Sequence, residues 1–584
     1  MMIKLITNKK TFKEQIKEIK KSNIHYLSRN CTNFLLEYDK NFDKKKINSY
    51  HWDDRAKLRR DFTYLEKLYE RLLIELSKTL NKQNNENKPI RYWRVLVGPW
   101  LYRFISSTYD KWENIKSLKK NKYEVNLHKF KKEDFIPFAM EDFAKMQLNE
   151  DWNHYIDRTI IESKFFKNKF YIKNKGLYKK KKTSIENNFL KLTLKKIFNL
   201  IIKKFKKKVI FQYSYLSRYD QLSLKFKYSN FLQGYDIDFN SRKNLKIDSI
   251  RKNILNIKKN NDFEKFLSQN LLNNIPWLFI EKYFLLKKNN KYYKHSDSPK
   301  IIVTSGISSI DSYFSYYIAK NILKGTKLFI TQHGGCYGQF LFHSEQRHEI
   351  KIADKYFSWG WKEDSKKIVP LGAFNSLIQK KHNRTSDAKK LLFITKLPII
   401  YLSRLDSSRG INQDYKYYTD CINFIKEIRS KDILKNCLIR TKNMNHGFDE
   451  KDVWKKKFPN IELDDGTKSI SNLYEDSKIV VHSSIGTSYL ETLKLNIPTI
   501  VFQNLKNLDL NKNTKKNISM LKKEKIFFDN EKKAVEHLES VWHNVDAWWS
   551  KKSLQSTRKN FCKKYIKTSP PVVESLGKII ERNI

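Results

Sequence analysis

Residues Asp476 to Phe502 read DSKIVVHSSIGTSYLETLKLNIPTIVF, and this stretch decides the fold class. Ile479-Val480-Val481-His482 is a short apolar run rich in β-branched residues, as in a strand covered on both faces. A small-residue turn follows, then a helix predicted from about Thr487, then Pro498 and a second strand, Thr499-Ile500-Val501-Phe502. The backbone amides of Gly486, Thr487 and Ser488 stand at the start of that helix, where the dipole favours an anion such as a diphosphate. Ser484 belongs to the same donor-side set, and Glu491, one turn into the helix, is placed to accept hydrogen bonds from ribose hydroxyls. Small-residue loops before helices are common, so these residues alone leave a generic turn open.

Outward from this segment, the chain from 300 onward repeats one pattern. Short apolar runs at Ile301–Thr304, Leu328–Thr331, Leu391–Ile394 and Cys437–Arg440 end in small or polar residues and alternate with helical stretches. That alternation predicts an α/β fold with parallel sheets. The polar stretch Gln379 to Lys390 predicts an interdomain linker. The expected layout is an N-terminal, acceptor-side domain over 1–380, a nucleotide-donor-binding Rossmann-like domain over 388–530, and terminal helices over 531–584 packing back across both. Trp542, Trp548 and Trp549 in the tail read as a core or interdomain brace.

The run Leu328–Thr331 leads into Gln332-His333-Gly334-Gly335. Ligands of open α/β sheets bind beyond the carboxyl ends of strands, so His333 is a candidate general base, and Gly334 and Gly335 let a ligand approach the backbone. The bland alternative is a histidine that bonds its own turn. His482 is the second candidate catalytic histidine, and Arg440, at a strand end, is the leading diphosphate contact, ahead of Arg347 and Lys396. His51, Asp53, Asp54 and Arg55 form a charged cluster before a helix whose Leu58, Phe62, Leu65, Tyr69, Leu72 and Leu76 recur every three or four residues. They are acceptor-side candidates, with helix capping as the competing reading. Asp53-Asp54 and Asp464-Asp465 are the tempting acidic pairs; both are read as structural, so no metal is expected.

The chain of 584 residues is long enough for two or more domains, and its 40% hydrophobic content suits a folded protein. A formal charge of +55 attracts polyanions, but the abundance of Lys, Asn, Ile, Phe and Tyr beside scarce Gly is also the profile of an AT-rich genome. Glu186 to Lys208 reads as a basic amphipathic helix within a basic region over 165–300; it fits a solvated helix face or peripheral contact with an anionic membrane. Five scattered cysteines fit a reducing cytosol, and no run approaches the roughly 20 apolar residues of a membrane span. The expected location is the cytoplasm, peripheral to the inner face of the plasma membrane. A basic nucleic-acid-binding protein is the reading from another class, but no RNP signature, KH loop or zinc finger is present, so no specific nucleic acid is expected.

The segment from 476 to 502 resembles the donor-nucleotide site of GT-B glycosyltransferases, with Asn496 standing where Gly is usual. The strand-then-QHG element resembles the HG element of CDP-glycerol glycerophosphotransferases, where such a His serves as base or phosphate ligand. YHWDDR at 50–55, RYWR at 91–94 with GPW at 98–100, QHGG and YG from 332 to 338, SWGW at 358–361, KIVPLG at 367–372, HSSIGTSYLET at 482–492 and DAWW at 546–549 extend the likeness to nearly the full length. Over that span the chain is similar to the LIC12162 family of transferases, found with surface-carbohydrate genes. The resemblance implies a GT-B-like fold, two Rossmann-like domains facing a cleft. It implies transfer of a sugar from a nucleotide-linked donor to a carbohydrate or lipid-linked acceptor. The alternative is transfer of a polyol phosphate in the same cleft. The donor is a substrate, and no cofactor is expected.

Overall fold

The computed structural model describes residues 2–9, 23–32, 43–119, 121–178, 209–213, 216, 220, 223–224, 227, 245–289, 298–306, 311–374, 377–379, 385, 388–407 and 411–584. The Glu186–Lys208 segment lies outside them. Three parallel sheets organise these residues. The first has the order β2-β1-β3-β4, from Ile24–Tyr26, Ile3–Ile6, Tyr123–Lys129 and Phe170–Leu177. The second runs in sequence order, β5 (Val209–Phe211), β6 (Ile301–Ser305), β7 (Lys327–Thr331), β8 (Lys355–Ser358) and β9 (Ile368–Pro370). The third has the order β12-β11-β10-β13-β14-β15, from Glu462–Asp464, Cys437–Arg440, Lys390–Ile394, Ser477–His482, Thr499–Phe502 and Phe527–Phe528. The α/β class is as expected. The four-stranded sheet was not legible: two long helices stand between β2 and β3, and β4 is exposed over most of its length.

The third sheet has the strand order 3-2-1-4-5-6 of a Rossmann fold, reversing between β10 and β13. The middles of its inner strands are apolar because helices cover both faces: Leu391, Leu392, Phe393, Ile479, Val480 and Val481 are completely buried. Asn496 adopts a φ of 59°, the left-handed region that Gly or Asn enters most readily, which explains an Asn in place of Gly. Trp549 Nε1 donates to both the backbone and side-chain oxygens of Asn496 at 3.0 Å, so the DAWW motif braces this turn.

Two long helices, Arg55–Gln83 and Ile90–Lys116, form a hairpin, and the second packs on the helices Glu150–Ile161, Ser312–Ile322 and Ser344–Ile352. The first begins as its pattern predicts, and Asp54 caps it by accepting from the amides of Ala56 and Lys57 at 2.8 and 3.1 Å. The second runs unbroken through Gly98-Pro99. A Cβ at Gly98 would lie 2.7 Å from both the His348 ring and the Tyr69 hydroxyl, so glycine permits the helices to close on each other.

At this crossing lies a buried ion cluster. Glu345, on the helix Ser344–Ile352, receives Arg404 Nη1 at 2.6 Å and Arg103 Nη2 at 3.4 Å, and its side chain is 1% exposed. Burial pushes its carboxyl up, but the two guanidiniums outweigh this and hold it far below the usual range. Arg404 Nε also meets Asp406 at 3.2 Å. Further bridges join the amino-terminal helix to the third sheet's loops: Arg55 donates to Asp509 and to the Ser407 carbonyl, each at 2.6 Å.

The terminal helices cross back. Lys552–Tyr565 packs on the helix Ser488–Lys494, with Arg558 Nη1 donating to the Leu493 carbonyl at 2.6 Å. The chain then reaches the second sheet, where Lys567 N donates to Trp359 O and Ala373 N donates to Lys567 O, both at 2.8 Å. The last helix, Val572–Glu581, buries Val572, Leu576 and Ile580 against Val303, Phe329 and Phe357. Among the described residues, no helix is long and apolar enough to cross a membrane.

Leu576→Ala is expected to cost about 2–5 kcal/mol by urea denaturation, since the emptied site sits in a closed core. Glu345→Gln strands two buried guanidiniums and should cost about 3–5 kcal/mol. Acid should also loosen this region. Burial pushes His348 down from 6.5 to about 3, so the folded state holds this ring neutral while the unfolded chain binds a proton. Stability therefore falls as the pH drops from 6.5 toward 3, and His348→Gln should flatten that slope if it folds.

Candidate functional site

Rossmann-type sheets bind ligands in the crevice beyond the carboxyl ends of the strands where the order reverses. Here that point is the end of β10, Ile394 to Lys396, beside the end of β13, His482 to Ser483. A small crevice there is lined by Lys396, Tyr417, Ser483, Gln503 and Asn504. Lys396 Nζ pairs with Asp414 at 2.5 Å and lies 4.4 Å over the Tyr417 ring. Tyr417 in turn hydrogen-bonds Ser483 at 2.6 Å. Gln503 Oε1 accepts the Ile485 amide at 2.8 Å and fixes the turn that follows β13.

The QHGG loop after β7 docks onto that turn. Gly335 N donates to Thr487 Oγ1 at 3.0 Å, so the segments singled out in the two halves of the chain touch. The approach is close: a Cβ at Gly335 would lie 2.8 Å from Thr487 Cα and nearer still to the Gly486 carbonyl oxygen. A Cβ at Gly486 meets no atom within 4 Å, so that side of the turn faces open space. Ser484, Gly486, Thr487 and Ser488 are all partly exposed.

His333 sits in the docked loop with its side chain 15% exposed. Tyr337 Oη lies 3.2 Å from its Nε2, and Glu349 Oε1 lies 3.6 Å from its Nδ1. Burial pushes the imidazole below its ordinary value; Glu345 opposes this, while Arg404 and Arg103 add to it. The ring is therefore neutral near pH 7, the state a general base requires. Gly334 is partly exposed in the same loop. Gln332 does not face a ligand: it is 1% exposed, its Oε1 accepts from Trp359 N at 2.9 Å and Trp361 Nε1 at 2.7 Å, and its Nε2 donates to Gly334 O at 2.7 Å. The SWGW motif thus anchors the histidine loop from below.

Several expected site residues serve the scaffold instead. His482 is 1% exposed, bonded to Thr492 at 3.0 Å and Ser488 at 3.3 Å, and burial pushes it down to about 3. Glu491 is 9% exposed and turned toward the Tyr474 hydroxyl at 3.4 Å, because its helix position faces the sheet rather than the rim. Arg440 spends its fork on Asp464 and on the carbonyls of Lys468 and Gly466. In the amino-terminal cluster, Asp54 is a helix cap, His51 Nε2 bonds Asp110 at 3.1 Å, Asp53 accepts from Asn412 at 2.6 Å, and Arg55 is held by Asp509. These four lock helices and loops together. Asp465 pairs with Lys451 at 2.9 Å, and Arg347 with Glu66. Among the described residues, no group of three or more His, Cys, Asp or Glu side chains could hold a metal ion.

Sequence reading passed over Tyr337, His343, Glu345, Glu349, Arg103 and Arg404, the groups that surround His333. The available signal was HSEQRHE at 343–349, where Glu345 and Glu349 fall one turn apart on one helix face. Arg103 sits in a helix buried along most of its length, and Arg404 in a loop, so neither has a periodic signature.

A family model described as LIC12162 family transferase matches residues 7–580. A search of curated proteins found no match. Among solved structures, the chain is similar to TarM at 14% identity and a TM-score of 0.32, over 51% of this chain and 57% of that one. It thus spans a little over half the length of TarM. A UDP-N-acetylglucosamine 2-epimerase gives 10% identity and a TM-score of 0.37 over 65% and 97% of the two chains. The wall teichoic acid polymerase TagF with CDPG gives 12% and 0.33 over 68% and 98%. With the match running over 7–580 and both docked loops, this chain belongs to the LIC12162 family of transferases.

Proposed function

We propose that this transferase is of the GT-B type and moves a sugar from a nucleotide-activated donor to a carbohydrate or lipid-linked acceptor in surface-polysaccharide synthesis. One observation carries the reading: the His333 loop and the Gly486 turn meet at the point where the Rossmann-type sheet reverses its strand order. In this reading the nucleotide lies over β10 and β13, near Lys396, Ser483 and Ser484. Its diphosphate lies along the exposed side of the Gly486–Ser488 turn. His333 takes the proton of the acceptor hydroxyl.

The Gly335 contact adds a mechanical consequence. Gly335 lies directly on the turn along which the diphosphate would run. In this reading donor entry lifts the QHGG loop from the Gly486 turn, and its return brings His333 onto the bound donor. Closure of this kind assembles a site and excludes water in one step.

A thermal-shift screen of UDP-, GDP-, CMP-, CDP- and dTDP-linked donors tests the reading. A cognate donor at a hundredfold excess over its Kd should add about 2.7 kcal/mol of stability. His333→Ala should keep that protection and lower transfer by roughly 10²–10⁴-fold. Loss of stability with full specific activity of the folded fraction would sink the assignment of His333. Gly335→Ala should hold the loop off the turn, destabilise the resting state by about 1–3 kcal/mol, and cost transfer more than donor binding.

A further inference from the structure

A general base that takes a proton becomes a cation, and burial already holds the His333 imidazole neutral. The new charge needs a partner within the layer that surrounds the ring. One flank of the ring lies over Gly306, just past β6, where a Cβ would sit 3.5 Å from Nδ1. Tyr337 meets the ring edge-on, with centroids 4.9 Å apart. Charged and titratable groups face it from three further elements. Glu345 and Glu349 stand on the helix Ser344–Ile352, with His343 as its cap; Arg404 comes from the loop after β10, and Arg103 from the helix Ile90–Lys116.

The two carboxylates are not equivalent. Glu345 is engaged by Arg404 at 2.6 Å and Arg103 at 3.4 Å. Glu349, one turn further along the helix, is completely buried and brings Oε1 to 3.6 Å from His333 Nδ1. That is an ion-pair distance rather than a hydrogen bond, and catalytic contacts of this kind tighten in the working complex.

Across the ring, the Tyr337 hydroxyl lies 3.2 Å from Nε2. Burial, then the charges of Glu345 and Glu349, push that phenol well above its ordinary value, so it keeps its proton and can donate to Nε2. A carboxylate at Nδ1 and a donor at Nε2 select the same tautomer, with the proton on Nδ1 and the lone pair on Nε2. An acid so placed also stabilises the imidazolium once it forms.

We propose that Glu349 is the positioning residue of His333: its carboxylate faces Nδ1–H, keeps the lone pair on Nε2 and meets the imidazolium. The proposal rests on the reading of His333 as general base. In the step, the acceptor hydroxyl replaces the Tyr337 hydroxyl at Nε2, and its O–H bond breaks as the proton passes to that nitrogen. The acceptor oxygen bonds to the transferred carbon, and the bond from that carbon to the diphosphate breaks, its electron pair leaving on the phosphate oxygen. Glu349 neither gains nor loses a proton.

Nitrogen NMR of the full chain, labelled at histidine, tests the pair without any substrate; His333→Ala identifies the signals of this ring. The neutral wild-type ring should carry its proton on Nδ1, and a proton on Nε2 overturns the proposal even if no Glu349 variant folds. In Glu349→Gln, which keeps the shape and removes the charge, the Nε2–H form should appear, and Glu349→Asp should restore Nδ1–H. A merely structural carboxylate would leave the tautomer unmoved, and that result overturns the role. Release of nucleoside diphosphate, from whichever of the five donor classes protects the chain, is then followed in the same variants. Glu349→Gln should lower kcat at least about tenfold with the donor KM near wild type, and Glu349→Asp should recover part of the loss. The acid limb of the kcat profile should move to lower pH, because the imidazolium has lost its counter-charge. Full turnover in His333→Ala overturns the general-base reading itself. Slow turnover in His333→Ala beside wild-type turnover in Glu349→Gln overturns only the part given to Glu349.

Discussion

A carboxylate with almost no contact with water, Glu345, holds this molecule's parts in register. Removing a charge from water costs several kcal/mol, and that cost is recovered only where opposite charges arrive in good geometry. Arg103 comes from the amino-terminal hairpin, Glu345 from the helix after β7, and Arg404 from the loop after β10. All three segments must therefore be in place before Glu345 has both its partners. His333 lies within the field of this cluster, whose charges act on the candidate base beside the larger effect of burial.

The same logic extends to the join between the second and third sheets. Gln332 is bonded to Trp359, Trp361 and Gly334, and this anchors the base of the loop from His333 to Gly335. The loop has no side chain at Gly335 and can lie directly on the Gly486 turn. Tyr489 bonds Gln339, and Asn511 bonds Gly338, so the contact is fastened at several points along its length. The terminal helices tie the two sheets from behind through Arg558 and Leu576.

What was legible in the sequence follows from periodicity and local chemistry. The runs at 301, 328, 391, 437, 479 and 499 all form parallel strands, because a strand buried on both faces must be apolar along its whole length. The helix from Arg55 and its Asp54 cap were legible for the same local reason. The first sheet was not: Ile3–Ile6 and Ile24–Tyr26 are too short to stand out, and their partner Tyr123–Lys129 is a hundred residues away. Nor was the helix through Gly98-Pro99, since local propensity opposes it and only packing against His348 and Tyr69 rewards it.

By itself the sequence determined the α/β class, the parallel strands, and the two loops, QHGG and HSSIGTS, that end up in contact. Only the tertiary structure decided which polar residues beside those loops are spent on the scaffold. Glu491, His482 and Arg440 carry the right chemistry at the right spacing, yet each turns toward a buried partner: Tyr474, Thr492 and Asp464. Spacing along a helix or strand says which residues share a face. Whether that face meets solvent or another layer depends on elements distant in the chain, and a buried polar group must take whatever partner those elements supply.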